Sequence, residues 1–266
     1  MKRPLLLLSC LLALPLWAQD QPNQPDPKKP GRLVRFLAIG DPPPFQQEIV
    51  DGVAREKEPP AGSVPPQQVI LGLGDDSKQA AELQLGLTSD ALKVPSGPGP
   101  LILRKPGKGA DTKPWLELQR PEEGDFMVLL WRDPVEKSWD ATRALVLPED
   151  PVSAPAGSVR FINTSNFGVG LVYGDERIKL EAGKFLRRKV NQRMDTPFET
   201  WTEDAKGRKH RFYSATIFQN ANERSLVITY FADGYMPRWP LKTIVLREPM
   251  PEVPKAPATA QAPAAR

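Results

Sequence analysis

Two apolar strand–loop–strand segments, one late in each half of the chain, match each other at a constant offset. This repeat constrains the fold more than any other feature. Trp131 and Tyr230 close the first strand of each segment, Leu147 and Leu246 close the second, and both pairs lie 99 residues apart. The loop between the strands therefore has one length in both places. Earlier in each half, Val34-Arg35-Phe36 recurs as Val159-Arg160-Phe161, and Leu92-Lys93-Val94-Pro95-Ser96-Gly97 recurs as Ile178-Lys179-Leu180-Glu181-Ala182-Gly183. The pattern reads as an internal duplication: two tandem domains over residues 32–151 and 152–249.

The second copy gives the cleaner strand pattern. Ser158 to Asn163 alternates apolar and polar residues, as a half-buried strand does. Val169 to Tyr173 and Arg177 to Leu180 flank Gly174-Asp175, a hairpin signal, and Phe185 to Val190 reads as a basic strand. Phe198 to Glu203 and Arg211 to Phe218 enclose Asp204-Ala205-Lys206-Gly207, and Leu226 to Phe231 and Thr243 to Leu246 complete the set. Short strands with Gly/Pro/Asp turns predict an all-β protein of two antiparallel β-sandwiches, immunoglobulin-like or related. The first copy adds a Pro-rich insertion over residues 41–68, in which Phe45 to Val53 is expected to form a brief helix. An insertion of that kind is either surface decoration or a partner-binding loop.

Residues 1–18 read as a secretory signal: Lys2 and Arg3, then an apolar run from Leu5 to Leu16, then the small Ala18. The run is too short for a spanning helix, which needs about 20 residues. Leu7-Leu8-Ser9-Cys10 loosely resembles a lipobox, but the apolar run continues past Cys10, which favours cleavage to a soluble form that is periplasmic or secreted. Residues 19–31 read as a Pro-rich linker and residues 250–266 as a disordered Pro/Ala tail. Cys10 is the one cysteine, so the mature chain has neither disulfides nor thiolate chemistry.

The net charge of +4 hides a division: 14 Lys/Arg against 19 Asp/Glu over residues 32–151 give −5, and 16 against 10 over 152–249 give +6. Opposed signs point to a partner or to an interface between the halves. In the second copy, positive charge gathers at Lys184, Arg187, Arg188, Lys189 and Arg193, and again at Lys206, Arg208, Lys209 and Arg211. Strand alternation puts Arg187 and Lys189 on one face and Arg188 on the other. Such a surface suits an anionic envelope polymer or simply a solvated sheet face; an exported chain without a reading motif argues against nucleic acid.

Catalytic constellations are not evident. His210 is the one histidine and sits among cations; with no cysteine in the mature chain, the usual zinc sites cannot be built. Ser214 lacks a nucleophile elbow, and the adjacent pairs Glu122-Glu123, Asp75-Asp76 and Glu203-Asp204 belong to turns. No cofactor or metal is expected. The two late loops, from Asp133 to Trp139 and from Asp233 to Trp239, carry residue types common at interfaces. The expected contact residues are Trp139, Tyr235, Met236, Arg238 and Trp239, with Arg187, Arg188, Lys206 and Arg208 as a basic patch. The function expected is an exported, non-enzymatic envelope protein that binds or scaffolds other proteins. The alternative is carbohydrate or polyanion binding through the second copy; a carboxylate-dependent hydrolase ranks below both.

Overall fold

A computed structural model of the protein describes residues 32–73, 78–107, 113–190, 195–234 and 236–250. The expected signal, the linker, residues 251–266 of the tail, Asp75-Asp76, Arg193 and Tyr235 lie outside the described residues. The fold is all-β.

The first half contains β1 (Arg32–Ile39), β2 (Gln47–Val50), β3 (Val53–Glu56), β4 (Gln68–Gly72), β5 (Lys78–Glu82), β6 (Leu92–Val94), β7 (Gly99–Arg104), β8 (Leu116–Arg120), β9 (Phe126–Arg132) and β10 (Thr142–Pro148). A single 3₁₀ turn, Trp139–Ala141, separates the last two. The second half contains β11 (Ser158–Asn163), β12 (Val169–Tyr173), β13 (Glu176–Leu180), β14 (Phe185–Lys189), β15 (Thr196–Glu203), β16 (Lys209–Ile217), β17 (Glu223–Phe231) and β18 (Leu241–Pro249).

The halves use the same strand order twice. In the first half the sheets run β10-β9-β1-β6 and β5-β4-β7-β8; in the second they run β18-β17-β11-β14 and β13-β12-β15-β16. Register repeats as well. Arg35 lies opposite Met127 as Arg160 lies opposite Leu226, and Leu147 opposite Met127 as Leu246 opposite Leu226. Strands β1 and β9, and their counterparts β11 and β17, pair in parallel; the other named strand pairs are antiparallel. The expectation of wholly antiparallel sheets is corrected at these two central pairs.

The same register corrects one expected match. Val34 pairs with Leu92 in β6, and Val159 pairs with Arg188 in β14. Leu92-Lys93-Val94 therefore occupies the place of Arg188-Lys189-Val190. Ile178–Leu180 belongs to β13, at the edge of the opposite sheet. The resemblance between those two stretches reflected strand composition and a following glycine, not position in the fold. The brief helix expected over Phe45–Val53 is instead most of a hairpin, β2–β3, turned by Asp51 and Gly52 at φ 54° and 77°. Asp-Gly with both residues left-handed is the turn that matches strand twist, and this local chemistry overrides a weak helical pattern.

Three cores result. One lies between the sheets of the first half, around Phe36, Leu71, Leu103, Phe126 and Trp139. One lies within the second half, around Phe161, Leu171, Phe198 and Val227, where Phe161 meets Tyr173 and Phe198 edge-on. A third joins the halves: Leu37, Ile39, Met127, Leu129 and Leu147 from the first pack with Ile162, Leu226, Ile228 and Tyr230 from the second. Strands β1, β9 and β17 are thus covered on both faces, which is why they read as nearly unbroken apolar runs. The alternation in Ser158–Asn163 suggested a half-buried strand, but β11 is buried along its whole length, its Arg160 donating to the carbonyls of Pro148 and Ser153. The four sheets form a stack of four layers, and the two halves share its middle.

Ion pairs close the two ends of this third core. At one end Arg35 bridges Glu149 (2.8 Å) and Glu248 (3.0 Å), while Arg224 bridges the same two carboxylates at 2.6 and 2.9 Å. The four groups make a closed ring of alternating charge, with Thr88 donating to Glu248 from outside it. Burial works against ionised Glu248, but Arg35 and Arg224 outweigh it and hold its pKa below the ordinary value. At the other end Arg132 reaches Asp233 at 2.6 Å, and Asp41 accepts from Tyr230 and from the Gly234 N–H, with Lys242 at 2.8 Å. Every one of these clusters joins residues of both halves.

Candidate functional site

The residues expected to form the contact surface are distributed over different parts of the fold. Trp139 is a correction: only 1% exposed, it fills the core of the first half. Its N–H donates to the Gly62 carbonyl, and its own carbonyl accepts from Trp115 Nε1. It cannot touch a partner. The flanking strands align at an offset of 99 residues, so Trp139 corresponds to Arg238 rather than to Trp239, and its likeness to Trp239 was a likeness of loop ends.

The late loop of the second half is accessible. Met236 is exposed, with φ at 45°, and Arg238 is exposed. Trp239 is half-buried, its ring tilted against that of His210 at 5.7 Å. His210 belongs to β16, so this contact ties the late loop to the β15–β16 hairpin that carries Lys206 and Arg208. Within that hairpin Asp204 contacts His210 Nε2, accepts from the backbone N–H groups of Lys206 and Arg208, and pairs with the Arg208 guanidinium. These contacts, His210 foremost, hold the Asp204 carboxyl below the usual range. Arg208 is thereby spent locally, while Lys206 stays solvated.

Arg187 and Arg188 do not join this group. Register puts Arg188 opposite Val159, which lies opposite Ser225, six residues before the end of β17 at Phe231. At about 3.3 Å per residue, this is roughly 20 Å along the sheet from the late loop. Alternation holds as expected: Arg188 turns to Glu176 of β13, and Arg187 donates to the carbonyls of Val152 and Ser153 in the connection between the halves. The expected basic patch is two separate groups, each with internal partners.

The structure instead assembles a groove that the sequence reading missed. It runs across the outer face of the β13-β12-β15-β16 sheet, with a volume of about 660 Å³. Its floor is the outward side of β12 and the residue before it, where Gly168, Gly170 and Val172 follow one another at every second position. One wall is the cationic side of β13, with Arg177 and Lys179; the other is β15, with Glu199, Trp201 and Glu203. Lys209 lines it from the start of β16. The glycines matter because the walls close in on them. A Cβ at Gly168 would lie 3.0 Å from Lys179 Cε, and one at Gly170 would lie 3.3 Å from Trp201 Cβ.

Trp201 is held from one side and bare on the other. Its pairing partners are Arg211 of β16 and Gly170 of β12. The Arg211 guanidinium lies over the indole at 5.8 Å and also binds Glu199 at 2.6 Å, while Glu199 accepts from Trp201 Nε1 at 3.1 Å. This triangle fixes the orientation of the indole, and the glycine side leaves it open to the groove. A register shift between Thr200 and Trp201 belongs to the same device, since a β-bulge re-aims side chains. Across the groove Lys179 pairs with Glu181, which raises its pKa, whereas Arg177 has no ion pair among the described residues; Lys209 lies on the Trp201 side, opposite Glu203 in the β15–β16 ladder. The sequence signal was present in Glu199, Trp201 and Glu203, every second residue of β15, and in Gly168 and Gly170 around the start of β12, each set spaced to share one face. Neither implies a groove until the strands are paired.

No family model and no curated protein matches the chain.

Proposed function

We propose that the protein is an exported, non-enzymatic binding module of the cell envelope, and that the outer face of the β13-β12-β15-β16 sheet is its contact surface. The observation that carries this reading is the fixed Trp201 indole, held by Glu199 and Arg211 and bare toward a groove of about 660 Å³. That volume lies in the range of small-ligand sites, and polar groups placed around an aromatic wall are how such sites orient what they hold. Preorganisation by neighbouring side chains lowers the cost of binding. A scaffolding role draws support from the shared third core and its ion-pair ends, because a large apolar interface suppresses motion between halves.

Two classes of partner were expected, envelope proteins and envelope polymers, and the groove favours the polymer. The exposed late loop, with Met236 and Arg238, remains the place where a protein would dock. Capture from native envelope extract, compared between the unaltered protein and Trp201→Ala, tests the reading. Loss of the captured material in the variant is expected. Equal capture by both would remove the groove from the contact surface and move it to the late loop.

A further inference from the structure

We infer that the groove on the second half takes an acidic glycan, a chain of sugars bearing carboxylates. The inference rests on the proposed binding role of that face and narrows it to a ligand class.

The argument follows from the two walls. A sugar ring has an apolar face of C–H groups and a rim of hydroxyls. The bare side of Trp201 offers that face a flat, oriented partner, and aromatic surfaces serve well where one side must be apolar and the edge wet. Glu203, exposed and without an ion pair among the described residues, stands beside Trp201 as an acceptor for ring hydroxyls. Glu199 cannot fill that part, since Arg211 and the indole N–H already occupy it.

The opposite wall decides the charge. Arg177 projects from β13 with no carboxylate partner among the described residues; Lys209 lines the Trp201 side of the groove, opposite Glu203 in the β15–β16 ladder. A guanidinium presents a planar fork that matches a carboxylate. A neutral sugar would leave Arg177 without a partner. The second half carries a net +6, which draws an anionic chain toward this face. The groove is open rather than enclosed and follows β12, so it suits a stretch of an extended chain, of which one sugar stacks on Trp201 while an acid group meets Arg177.

Isothermal titration calorimetry of the purified protein with oligogalacturonate and with hyaluronan oligosaccharide, each compared with its methyl-esterified form, tests this. The ester keeps the sugar and removes the charge. At least one acid form should bind, with its ester weaker by about tenfold, the loss of one charge-assisted contact. Arg177→Gln should weaken the acid form by a similar factor and leave the ester unchanged. Trp201→Ala should weaken both forms. Arg177 is exposed and unpaired, so its variant folds normally and keeps the test decisive if Trp201→Ala does not fold. Equal binding of acid and ester would overturn the acidic class while leaving the groove a glycan site. Binding of neither pair, with Trp201-dependent capture of a protein from the extract, would overturn the glycan and leave the binding role standing. Binding of neither pair and capture independent of Trp201 would sink both.

Discussion

The ring of Arg35, Glu149, Arg224 and Glu248 gives the sharpest test of the claim that the halves form one structural unit. Glu248→Gln keeps the shape of the side chain and removes its charge. In the folded protein Glu248 accepts from Arg35, Arg224 and Thr88, at 2.9 to 3.3 Å, with its side chain 14% exposed. Neutralising it leaves two guanidinium groups, 23% and 8% exposed, to share Glu149 alone. Breaking one partner out of a buried ionic cluster costs about 3–5 kcal/mol. Arg35 retains some access to water, so the lower part of that range, about 3 kcal/mol, is the expected loss. For a domain of this size that corresponds to a fall in Tm of roughly 6–12 °C.

The pH dependence has a definite sign. The folded pKa of Glu248 lies below its ordinary value of 4.5, so its contribution is fully present above about pH 4.5 and fades as pH falls through the folded value. Glu248→Gln should therefore be least stable relative to the parent near neutrality and converge with it in acid. Urea unfolding followed by tryptophan fluorescence and far-UV circular dichroism, from pH 7 down to pH 3, reads both effects. One transition, coincident by both probes and shifted as a whole, is expected, because the cluster spans the halves. A variant within about 0.5 kcal/mol of the parent at pH 7, the scatter of ordinary surface substitutions, would refute the cluster's role. Two separate transitions, only one of them shifted, would refute the shared core.

Trp139→Ala should cost about 3–5 kcal/mol by leaving a cavity in the first core, measured by urea denaturation, whereas a surface contact residue would cost almost nothing. Tyr230→Phe removes the hydroxyl that donates to buried Asp41, and thermal unfolding should show a loss of about 1–2 kcal/mol. Ile49 and Val53 are 79% and 57% exposed on the β2–β3 hairpin, which pairs with no other sheet among the described residues. The double change to Ser should leave Tm within about 2 °C of the parent, because these side chains bury almost nothing.

Local regularities of the fold were legible where a strand has one wet face. The Gly174-Asp175 hairpin could be read directly, since turn chemistry is written within two residues; the alternation in Ser158 to Asn163 pointed to a half-buried strand, and all six of its residues are buried. The likeness of the halves was legible where register repeats: Arg35 and Arg160 hold the same register positions on β1 and β11, although one pairs with two carboxylates and the other with backbone carbonyls. Reading failed where neighbours outside the segment decide. Leu92–Val94 resembles Ile178–Leu180, but pairing with β1 rather than with an edge partner fixes its place. Trp139 and Trp239 close similar loops, yet one meets a hydrophobic core and the other meets His210.

The sequence by itself determined the all-β class of fold, most strands of the second half and the opposed charge of the two halves, because backbone propensity, alternation and net charge are local or additive properties. Tertiary structure alone decided that the halves share a core. The runs in β9 and β17 are apolar on both faces, but only the stacking of the sheets says what covers the second face. Tertiary structure alone also made the groove: Gly170, Trp201, Arg211 and Arg177 come from four strands up to 41 residues apart, and no pattern along the chain measures what lies beside what across a sheet.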